Sequence, residues 1–437
     1  MEKYSFVQRL GQGSFAVVWK ARRKSDGRLV AAKQLKTSPE SWEACKQLPE
    51  VRAAAQVADR RHLVQLLEAV RHGGELFLIF EYIEGSLHHC IATATRRLEE
   101  SQVRWAARRL MMALAAVHAA NLVHCDVKPE NILVGGMEGS RGPTMKLCDF
   151  GQSGPPGEIA SYIGTRWYRA PELFLGSRGD QSVDLWSAGC TLAELILRRP
   201  LVPGSDTRDM LFRISGELGV PEESWPLASQ VVEVSGRAHA EAAAWDALRA
   251  QGASEASIEL LAALLRYDST KRLRADRALR DCAFFAETAE VPIPVPTPRP
   301  LSPGSLQHAR EEAQAVERRL ASAGKATLPL PPPAPRGVPS AYKAESTVPS
   351  SPEPEEPSAH GAAESEDEAL ADAFWNSCKA VASAPAPPPP RPRPPRTSAR
   401  LRKVPLGLSA APRSTTDSPA SVPSLRDDAD DRGSVVA

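Results

Sequence analysis

Residues 124–131 of this 437-residue chain read His124-Cys125-Asp126-Val127-Lys128-Pro129-Glu130-Asn131. The stretch brings a carboxylate, a cation and an amide within six positions, at Asp126, Lys128 and Asn131. Groups this close along a chain can converge on one bound molecule, whereas a single short pattern also arises by chance. The motifs that follow therefore decide how the stretch is interpreted.

Two further motifs complete the pattern. They are Asp149-Phe150-Gly151, which begins eighteen residues after Asn131, and then Ala170-Pro171-Glu172. Phosphoryl transfer needs a carboxylate that orients the acceptor hydroxyl and takes its proton, a cation beside the transferred phosphate, and oxygen ligands for Mg²⁺. The three motifs together supply these groups, and they indicate a phosphotransferase with Asp126 and Lys128 as its catalytic residues.

A glycine-rich turn and a lysine precede these motifs. Gly11, Gln12 and Gly13 lie between two stretches with β alternation, where glycine lets the backbone approach phosphates closely, and Ala16 stands where a third glycine is usual. Lys33 ends the run Val30-Ala31-Ala32-Lys33. Taken alone, the glycines could form an ordinary hairpin turn, and Lys33 could be a strand-end lysine whose amine reaches solvent. Together with the later motifs, they indicate a site for nucleotide phosphates.

Hydrophobic periodicity outlines two regions of different secondary structure. Alternation predicts strands over residues 6–10, 17–21, 29–35 and 76–82, and the pattern becomes helical from Ser101. The predicted helix has six apolar residues on one face and three arginines mostly off it: Val103, Ala106, Ala107, Leu110, Leu114 and Val117, and Arg104, Arg108 and Arg109. The sequence therefore predicts an α+β fold, with a small β-rich part followed by a larger helical part.

From residue 4 to about residue 285, the chain resembles a complete protein kinase domain. The resemblance implies a two-lobed fold, with an N-lobe over residues 4–82 and a C-lobe over residues 85–285, and it implies ATP and Mg²⁺ as cofactors. The residues that it places at the ATP site are Leu10, Gly11, Gln12, Gly13, Val18, Ala31, Lys33, Glu50, Phe80, Glu81, Ile83, Asn131 and Asp149. Among them, Glu50 is expected to pair with Lys33, and Asn131 and Asp149 are expected to hold the metal.

The subgroup is indicated by Thr165-Arg166-Trp167-Tyr168-Arg169-Ala170-Pro171-Glu172, which is similar to the CMGC group of cyclin-dependent, MAP and related kinases. In that group the arginine that matches Arg169 shapes the pocket for the residue after the phosphoacceptor. Thr165 and Arg169 are therefore expected in a substrate pocket that favours proline. Two shorter motifs resemble the RCK family of male-germ-cell-associated and intestinal-cell kinases, many of which act at cilia: Ser41-Trp42-Glu43-Ala44-Cys45 and Leu48-Pro49-Glu50-Val51.

The resemblance implies a serine/threonine protein kinase that is directed to Ser-Pro or Thr-Pro sites in protein substrates and serves signalling. It would act as a monomer in the cytoplasm, with the nucleus or the cilium open as further locations. Structural roles are implied for a buried Asp184 that braces the catalytic loop, and for an ion pair between Glu172 and Arg272. Two alternatives stay open, namely a pseudokinase scaffold and a proline-rich adaptor in which the tail is the working part.

Two positions of the activation loop depart from the related kinases. Cys125 replaces the arginine that usually precedes the catalytic aspartate and binds the phosphate of the loop; a thiol has no fixed charge with which to do so. The Thr-x-Tyr pair of RCK kinases corresponds here to Ala160 and Tyr162, so the threonine is absent. The two changes agree, and they predict a kinase that does not require an activation-loop phosphothreonine. Independent drift at the two positions is the alternative.

Overall composition excludes several other classes of protein. The chain has 54 basic and 53 acidic residues, which argues against binding of nucleic acid or of a membrane surface through bulk charge. Its seven cysteines form no CxxC pair, which favours a reduced intracellular protein. No apolar run approaches the roughly 20 residues that span a bilayer, so membrane insertion is not expected.

Proline separates the last part of the chain from the rest, since 28 of 39 prolines follow residue 285. Residues 286–437 are also poor in aromatic side chains and are predicted to be mostly disordered, with a candidate helix over residues 305–323 that has Ser305 as its N-cap. Their Ser-Pro and Thr-Pro sites are candidate substrates of the chain itself: Thr297, Ser302, Ser351 and Ser418.

Two stretches of this tail are candidate partner motifs, and a merely local aromatic cluster is the alternative for the first of them. Residues 372–375 place two aromatic side chains in acidic, polar surroundings, and residues 385–403 combine polyproline with basic residues. Recognition of polyproline II, a nuclear signal and a solvated spacer are all open for the second stretch.

Overall fold

The computed structural model of the protein describes residues 1–323, except residues 14, 137–142, 162, 236–241, 288 and 296–301. The predictions made for Tyr162, for Thr297 and for the tail beyond residue 323 lie outside the described residues. Within them, the chain forms a β-rich N-lobe followed by a helical C-lobe. This confirms the predicted two-lobed α+β fold.

The N-lobe is built on one antiparallel sheet in the order β1-β2-β3-β5-β4. Its strands are β1 (Tyr4–Gln12), β2 (Ala16–Arg23), β3 (Leu29–Leu35), β4 (Leu66–His72) and β5 (Glu75–Glu81). Four of them coincide with the predicted strands, and β4 was not predicted. Strands β4 and β5 are joined by Gly73 and Gly74, whose φ angles of 59° and 75° suit a two-residue hairpin turn.

Two short helices, α1 (Trp42–Lys46) and α2 (Pro49–Gln56), cover one face of this sheet. Proline is well tolerated at the first position of a helix, so Pro49 allows α2 to begin immediately after α1. Apolar residues from the helices and the strands form the core between them: Cys45, Val51, Leu66, Leu76 and Leu78. This packing holds α2 against the sheet, and the site described below depends on that position.

The C-lobe consists of nine described helices and a small sheet. The helices are α3 (Leu87–Thr93), α4 (Glu100–Ala119), α5 (Pro171–Phe174), α6 (Ser182–Leu197), α7 (Thr207–Leu218), α8 (Ala228–Ser235), α9 (Ala243–Ala250), α10 (Glu255–Leu264) and α11 (Ala275–Asp281). The sheet contains β6 (Gly85–Ser86), β7 (Ile132–Gly136) and β8 (Pro143–Leu147). The predicted apolar face of α4 is buried as expected. Among the described helices, none combines the length and the apolar character needed to cross a bilayer.

The folded body continues past the domain limit expected at residue 285. Arg104 was predicted to lie mostly off the apolar face of α4, but it is only 4% exposed and donates hydrogen bonds to the backbone oxygens of Phe284, at 2.8 Å, and Ala289, at 3.1 Å. Farther along this segment, Glu290 pairs with Arg109 at 3.0 Å. The following residues are anchored as well, since Ile293 is buried in the core of the C-lobe. The segment over residues 289–295 therefore belongs to the C-lobe surface.

After residue 301 the chain forms α12 (Pro303–Ala323), which includes the candidate helix over residues 305–323. The backbone N–H of Ser305 donates to the hydroxyl of Ser302 at 3.1 Å, so Ser302, rather than Ser305, caps the first turn. Ala313 and Leu320 pack into the N-lobe core with Phe6 and Trp19. The second face of the N-lobe sheet is therefore covered by the tail helix.

Polar contacts fix α12 along the edge strand β1. The backbone N–H of Phe6 donates to the carboxylate of Glu317 at 3.0 Å, and Arg9 lies 3.2 Å from Glu312. Arg319 also pairs with Glu75 on β5. An uncovered edge strand exposes unpaired backbone groups, and the helix provides a partner for one of them.

Candidate active site

The ion pair between Lys33 and Glu50 joins the sheet to α2. Lys33 lies in β3, and Glu50 falls in the first turn of α2, directly after Pro49. The Nζ atom of Lys33 lies 2.6 Å from Oε1 of Glu50 and 2.7 Å from Oδ1 of Asp149. Burial alone would lower the pKa of Lys33, but the two carboxylates outweigh burial and raise this pKa. Lys33 is therefore a firmly positioned cation at neutral pH, and its contact with Glu50 is the predicted pairing.

Asp149 reaches Lys33 because its backbone is left-handed, with a φ of 65°. The next residue, Phe150, packs edge-on against the ring of His124, with ring centroids 4.7 Å apart. Burial raises the pKa of Asp149, but the charge and hydrogen bond of Lys33 more than offset this, and the net shift of the pKa is downward. The ionised carboxylate is 45% exposed and can meet a ligand.

Asp184 holds the backbone of the catalytic loop, which comprises residues 124–131. Its fully buried carboxylate accepts hydrogen bonds from the backbone N–H groups of His124 and Cys125, both at 2.8 Å, and from Nε2 of His118 at 2.9 Å. Cys125 has a φ of 72°, which is unfavourable for a residue with a side chain. The hydrogen bonds to Asp184 stabilise this conformation, and the predicted bracing role is confirmed.

Asp126 lies at the centre of a hydrogen-bond network. Its Oδ2 accepts from Nζ of Lys128 at 2.8 Å and from Nδ2 of Asn131 at 2.9 Å. Its Oδ1 accepts from the backbone N–H of Thr165 at 3.0 Å and from the Thr165 hydroxyl at 2.7 Å. Thr165 was predicted only as a pocket residue, yet it also links the activation segment to Asp126. Four donors therefore orient this carboxylate.

Asn131 and Asp149 fit the predicted role of Mg²⁺ ligands. The Nδ2 group of Asn131 donates to the backbone oxygen of Asp126 at 2.8 Å and to its carboxylate, which leaves the amide oxygen for a cation. Mg²⁺ prefers oxygen ligands, and it is usually bound by one or two protein groups together with substrate phosphates. The donor atoms of these two residues match that preference.

Strand register places several predicted ATP-site residues in neighbouring positions. Gly11 lies opposite Val18, which in turn lies opposite Lys33, and Ala31 lies opposite Phe80. The remaining predicted residues of the N-lobe lie around this row: Leu10 and Gln12 in β1, Gly13 in the turn after it, and Ile83 just after β5. Together these residues provide a glycine turn, the Lys33 cation and apolar side chains, which are the features that a nucleotide site requires.

Glu81 differs from its predicted position in one respect. Its carboxylate accepts hydrogen bonds from Nζ of Lys146 at 2.6 Å and from the backbone N–H of Gln65 at 2.8 Å, and both partners of the ion pair are buried. The side chain thus connects β5 to β8 and is not available to a nucleotide, and the backbone N–H of Glu81 is also paired, with the carbonyl oxygen of Gln65 at 3.0 Å. Lys146 was missed by sequence reasoning, because a single lysine in a short strand carries no recognisable signal.

Arg169 organises the predicted substrate pocket through the backbone. Its Nε atom donates to the carbonyl oxygen of Ile163 at 2.9 Å, and Nη2 donates to the carbonyl oxygen of Gly164 at 2.8 Å. Gly164 has a φ of 79°, and a Cβ atom there would lie 2.4 Å from the carbonyl oxygen of Cys125. Glycine is therefore required at this position.

Glu172 and Arg272 form the predicted ion pair of the C-lobe. The two guanidinium nitrogens of Arg272 each lie 2.6 Å from a carboxylate oxygen of Glu172, and both side chains are buried. The guanidinium also lies over the ring of Trp186 in α6, 5.2 Å from its centroid. The pair fixes the end of the activation segment to the helical core.

Comparison with known proteins agrees with this geometry. The protein kinase domain matches residues 4–284. Serine/threonine-protein kinase ICK of Mus musculus is 34% identical over 298 residues, which cover 64% of this chain and 44% of ICK. Serine/threonine-protein kinase MAK of Homo sapiens is 32% identical over 292 residues, which cover 65% of this chain and 46% of MAK.

A shorter relative is matched over most of its length. Cyclin-dependent kinase 20 of Homo sapiens is 32% identical over 308 residues, which cover 67% of this chain and 88% of that kinase. The chain thus spans less than half of ICK and MAK. The chain belongs to the protein kinase family, and within it to the CMGC group in which it resembles the RCK kinases.

Proposed function

We propose that the chain is an active, ATP-dependent serine/threonine protein kinase that acts on Ser-Pro and Thr-Pro sites. The proposal is carried by two assembled groups of side chains. Lys33, Glu50 and Asp149 are already in contact, and Asp126 is already oriented by its neighbours. Kinase catalysis is largely positioning and electrostatic stabilisation, so both groups must be in place for transfer.

Each of these residues has a distinct role in phosphoryl transfer. Asp126 accepts the proton of the substrate hydroxyl. Lys128, whose Nζ atom lies 2.8 Å from Oδ2 of Asp126, stabilises the charge on the phosphoryl group during transfer. Lys33 holds the α- and β-phosphates in the position set by Glu50. Mg²⁺, when it is held by Asn131 and Asp149, supplies charge neutralisation of the phosphates.

A pseudokinase scaffold would need none of these contacts. The test is incubation of the purified full-length protein with Mg·ATP and Ser/Thr peptides, together with a direct measurement of nucleotide binding. Transfer to the peptides supports the kinase. Nucleotide binding without any transfer, or no binding at all, would favour the scaffold.

The preference for proline rests on the hydrogen bonds of Gly164. Its carbonyl oxygen is paired with Arg169 and turned by the positive φ, so this oxygen is not available to the residue that follows the phosphoacceptor. An ordinary residue there would bury an unpaired backbone N–H, whereas proline has none. The pocket therefore favours proline by penalising the other residues.

Peptides that differ only in proline or alanine after the acceptor are expected to differ roughly tenfold or more in kcat/KM, because an unpaired buried N–H costs about 1–3 kcal/mol. A third peptide with N-methylalanine at that position separates the cause, since it lacks the N–H but has no ring. It is expected to recover much of the rate. Equal kcat/KM values for proline and alanine would rule the mechanism out.

We also propose that activity does not require phosphorylation of an activation-loop threonine. Ala160 has no hydroxyl, and the buried thiol of Cys125, whose pKa is raised by burial and by nearby carboxylates, offers no positive charge to a phosphate. A loop phosphate normally acts through charge-assisted hydrogen bonds to arginine, and both partners are absent here.

Phosphatase-treated protein is therefore expected to keep most of the activity of untreated protein. A Tyr162→Phe variant in the same peptide assay measures any modulation by the tyrosine that remains. The proposal fails if dephosphorylation abolishes transfer and an upstream kinase that acts on Ser153 or Ser161 restores it.

A further inference from the structure

The activation segment, which runs from Asp149 to Glu172, is connected to the C-lobe at several points among its described residues. The backbone groups of Gly154 exchange two hydrogen bonds with Val123, at 2.8 and 3.1 Å. Farther along, Ile159 is buried and its carbonyl oxygen accepts a hydrogen bond from the backbone N–H of Gly179 at 3.2 Å. These contacts order the first half of the segment without a phosphate.

In the second half of the segment, both backbone groups of Gly164 are paired. Its backbone N–H donates to Oε1 of Gln152 at 2.8 Å, and its carbonyl oxygen accepts from Arg169 at 2.8 Å. The carbonyl oxygen of Cys125 fills the space next to its Cα atom. Gly164 is thus held from three sides, and Gln152 is the contact that comes from the beginning of the segment.

We infer that Gln152 is a positioning residue, which connects the start of the activation segment to the substrate pocket and takes over the ordering role of the missing loop phosphate. The inference rests on the proposed kinase function and specifies how the protein substrate is held. Gln152 directly follows Gly151, so it is fixed to the residues around Asp149. Its amide spans twelve residues of sequence to reach Gly164.

The position of Gly164 sets the position of the residues that bind the peptide. Thr165 follows it directly, and the Thr165 N–H donates to Asp126 at 3.0 Å. If Gln152 loses its acceptor oxygen, the half-buried N–H of Gly164 is left unpaired, which favours rearrangement of this part of the segment. Peptide binding should suffer. Among the described residues, no hydrogen bond or ion pair joins Gln152 to Lys33, Glu50 or Asp149, so ATP binding should be retained.

The test compares three variants with the wild-type protein. Gln152→Met has a similar length but no acceptor, Gln152→Glu keeps an acceptor oxygen at the same reach, and Gln230→Met is the matched control on the exposed surface of α8. The measurements are kcat and KM for a Ser-Pro and a Thr-Pro peptide, KM for ATP, the melting temperature, and hydrogen–deuterium exchange over residues 163–168.

For Gln152→Met we expect the peptide KM to rise roughly tenfold, with KM for ATP and the melting temperature near the wild-type values. Exchange over residues 163–168 should become faster. Gln152→Glu should restore most of the peptide KM and the protection, and the control should match wild type. The use of both peptides ensures that a change in acceptor preference is not mistaken for a general loss.

Wild-type kinetics and protection in Gln152→Met would overturn the inference, as would an equal loss in Gln152→Glu. Failure of the proposed function is distinguishable, because a wild-type protein that phosphorylates neither peptide contradicts the kinase itself. In that case the exchange measurement still decides whether Gln152 holds Gly164, since exchange does not depend on catalysis.

Discussion

The Asp126→Asn variant is expected to transfer phosphate about 10²–10⁴-fold more slowly than the wild-type protein, the range that a positioned general base contributes. The amide oxygen can still accept the hydrogen bonds of Thr165 at 2.7 and 3.0 Å. The amide nitrogen, however, would replace the oxygen that accepts from both Lys128 and Asn131. The variant therefore loses the base and places donors against donors at the centre of the site.

The measurement is kcat for a Ser-Pro peptide at saturating Mg·ATP, together with nucleotide binding. Asp246→Asn is the matched control, since Asp246 is largely exposed in α9. Nucleotide binding should persist in Asp126→Asn because Lys33 and Asp149 are untouched. A kcat close to the wild-type value would remove Asp126 from the role of base.

The Arg272→Met variant should lose about 3–5 kcal/mol of folding free energy, because it leaves the carboxylate of Glu172 buried without its partner. For a protein of this size, such a loss lowers the melting temperature by on the order of 10 °C. Methionine has a similar length and can still pack against Trp186, so the loss comes from the unpaired charge of Glu172 and from the carbonyl oxygens of Arg266, Ser182 and Tyr267, which lose this donor.

A matched pair of variants tests this explanation. Arg274→Met removes an exposed arginine two residues away and should leave the melting temperature almost unchanged. The double variant Glu172→Leu/Arg272→Met removes both charges and should be more stable than Arg272→Met alone. The explanation fails if the double variant is the less stable of the two, because the charge would then not be the cause.

The central motifs of the site were predictable from sequence because each acts through a fixed local spacing. Asp126 and Asn131 share one loop, and the hairpin strands that carry Lys33 follow simple alternation. The pairing of Lys33 with Glu50 was predicted from resemblance to the kinase family, because α2 is too short to show a clear hydrophobic periodicity.

Other features depend on contacts between distant residues, which no local pattern encodes. The bond from Gly164 to Gln152 and the buried pair of Lys146 with Glu81 each need a particular backbone path to bring single polar groups together. Arg104 was predicted to lie mostly off the apolar face of α4, yet it is buried and donates to the carbonyl oxygens of Phe284 and Ala289. Periodicity describes one helix and carries no information about what packs on it.

The tail helix α12 gives the two lobes a second connection, in addition to the hinge after Glu81, because it follows the C-lobe along the chain and packs on the N-lobe. The chain is fixed to the C-lobe up to Val295 and to the N-lobe from α12 onward, and the seven residue steps between Val295 and Ser302 can span at most about 25 Å. A helix on so short a tether has a high effective concentration at its binding face, so it rebinds faster than a separate partner can replace it. Opening of the cleft beyond that reach must first detach α12. A fragment that stops at residue 285 would leave the Phe6 and Trp19 face in water, so we expect it to be less stable than a fragment that includes α12.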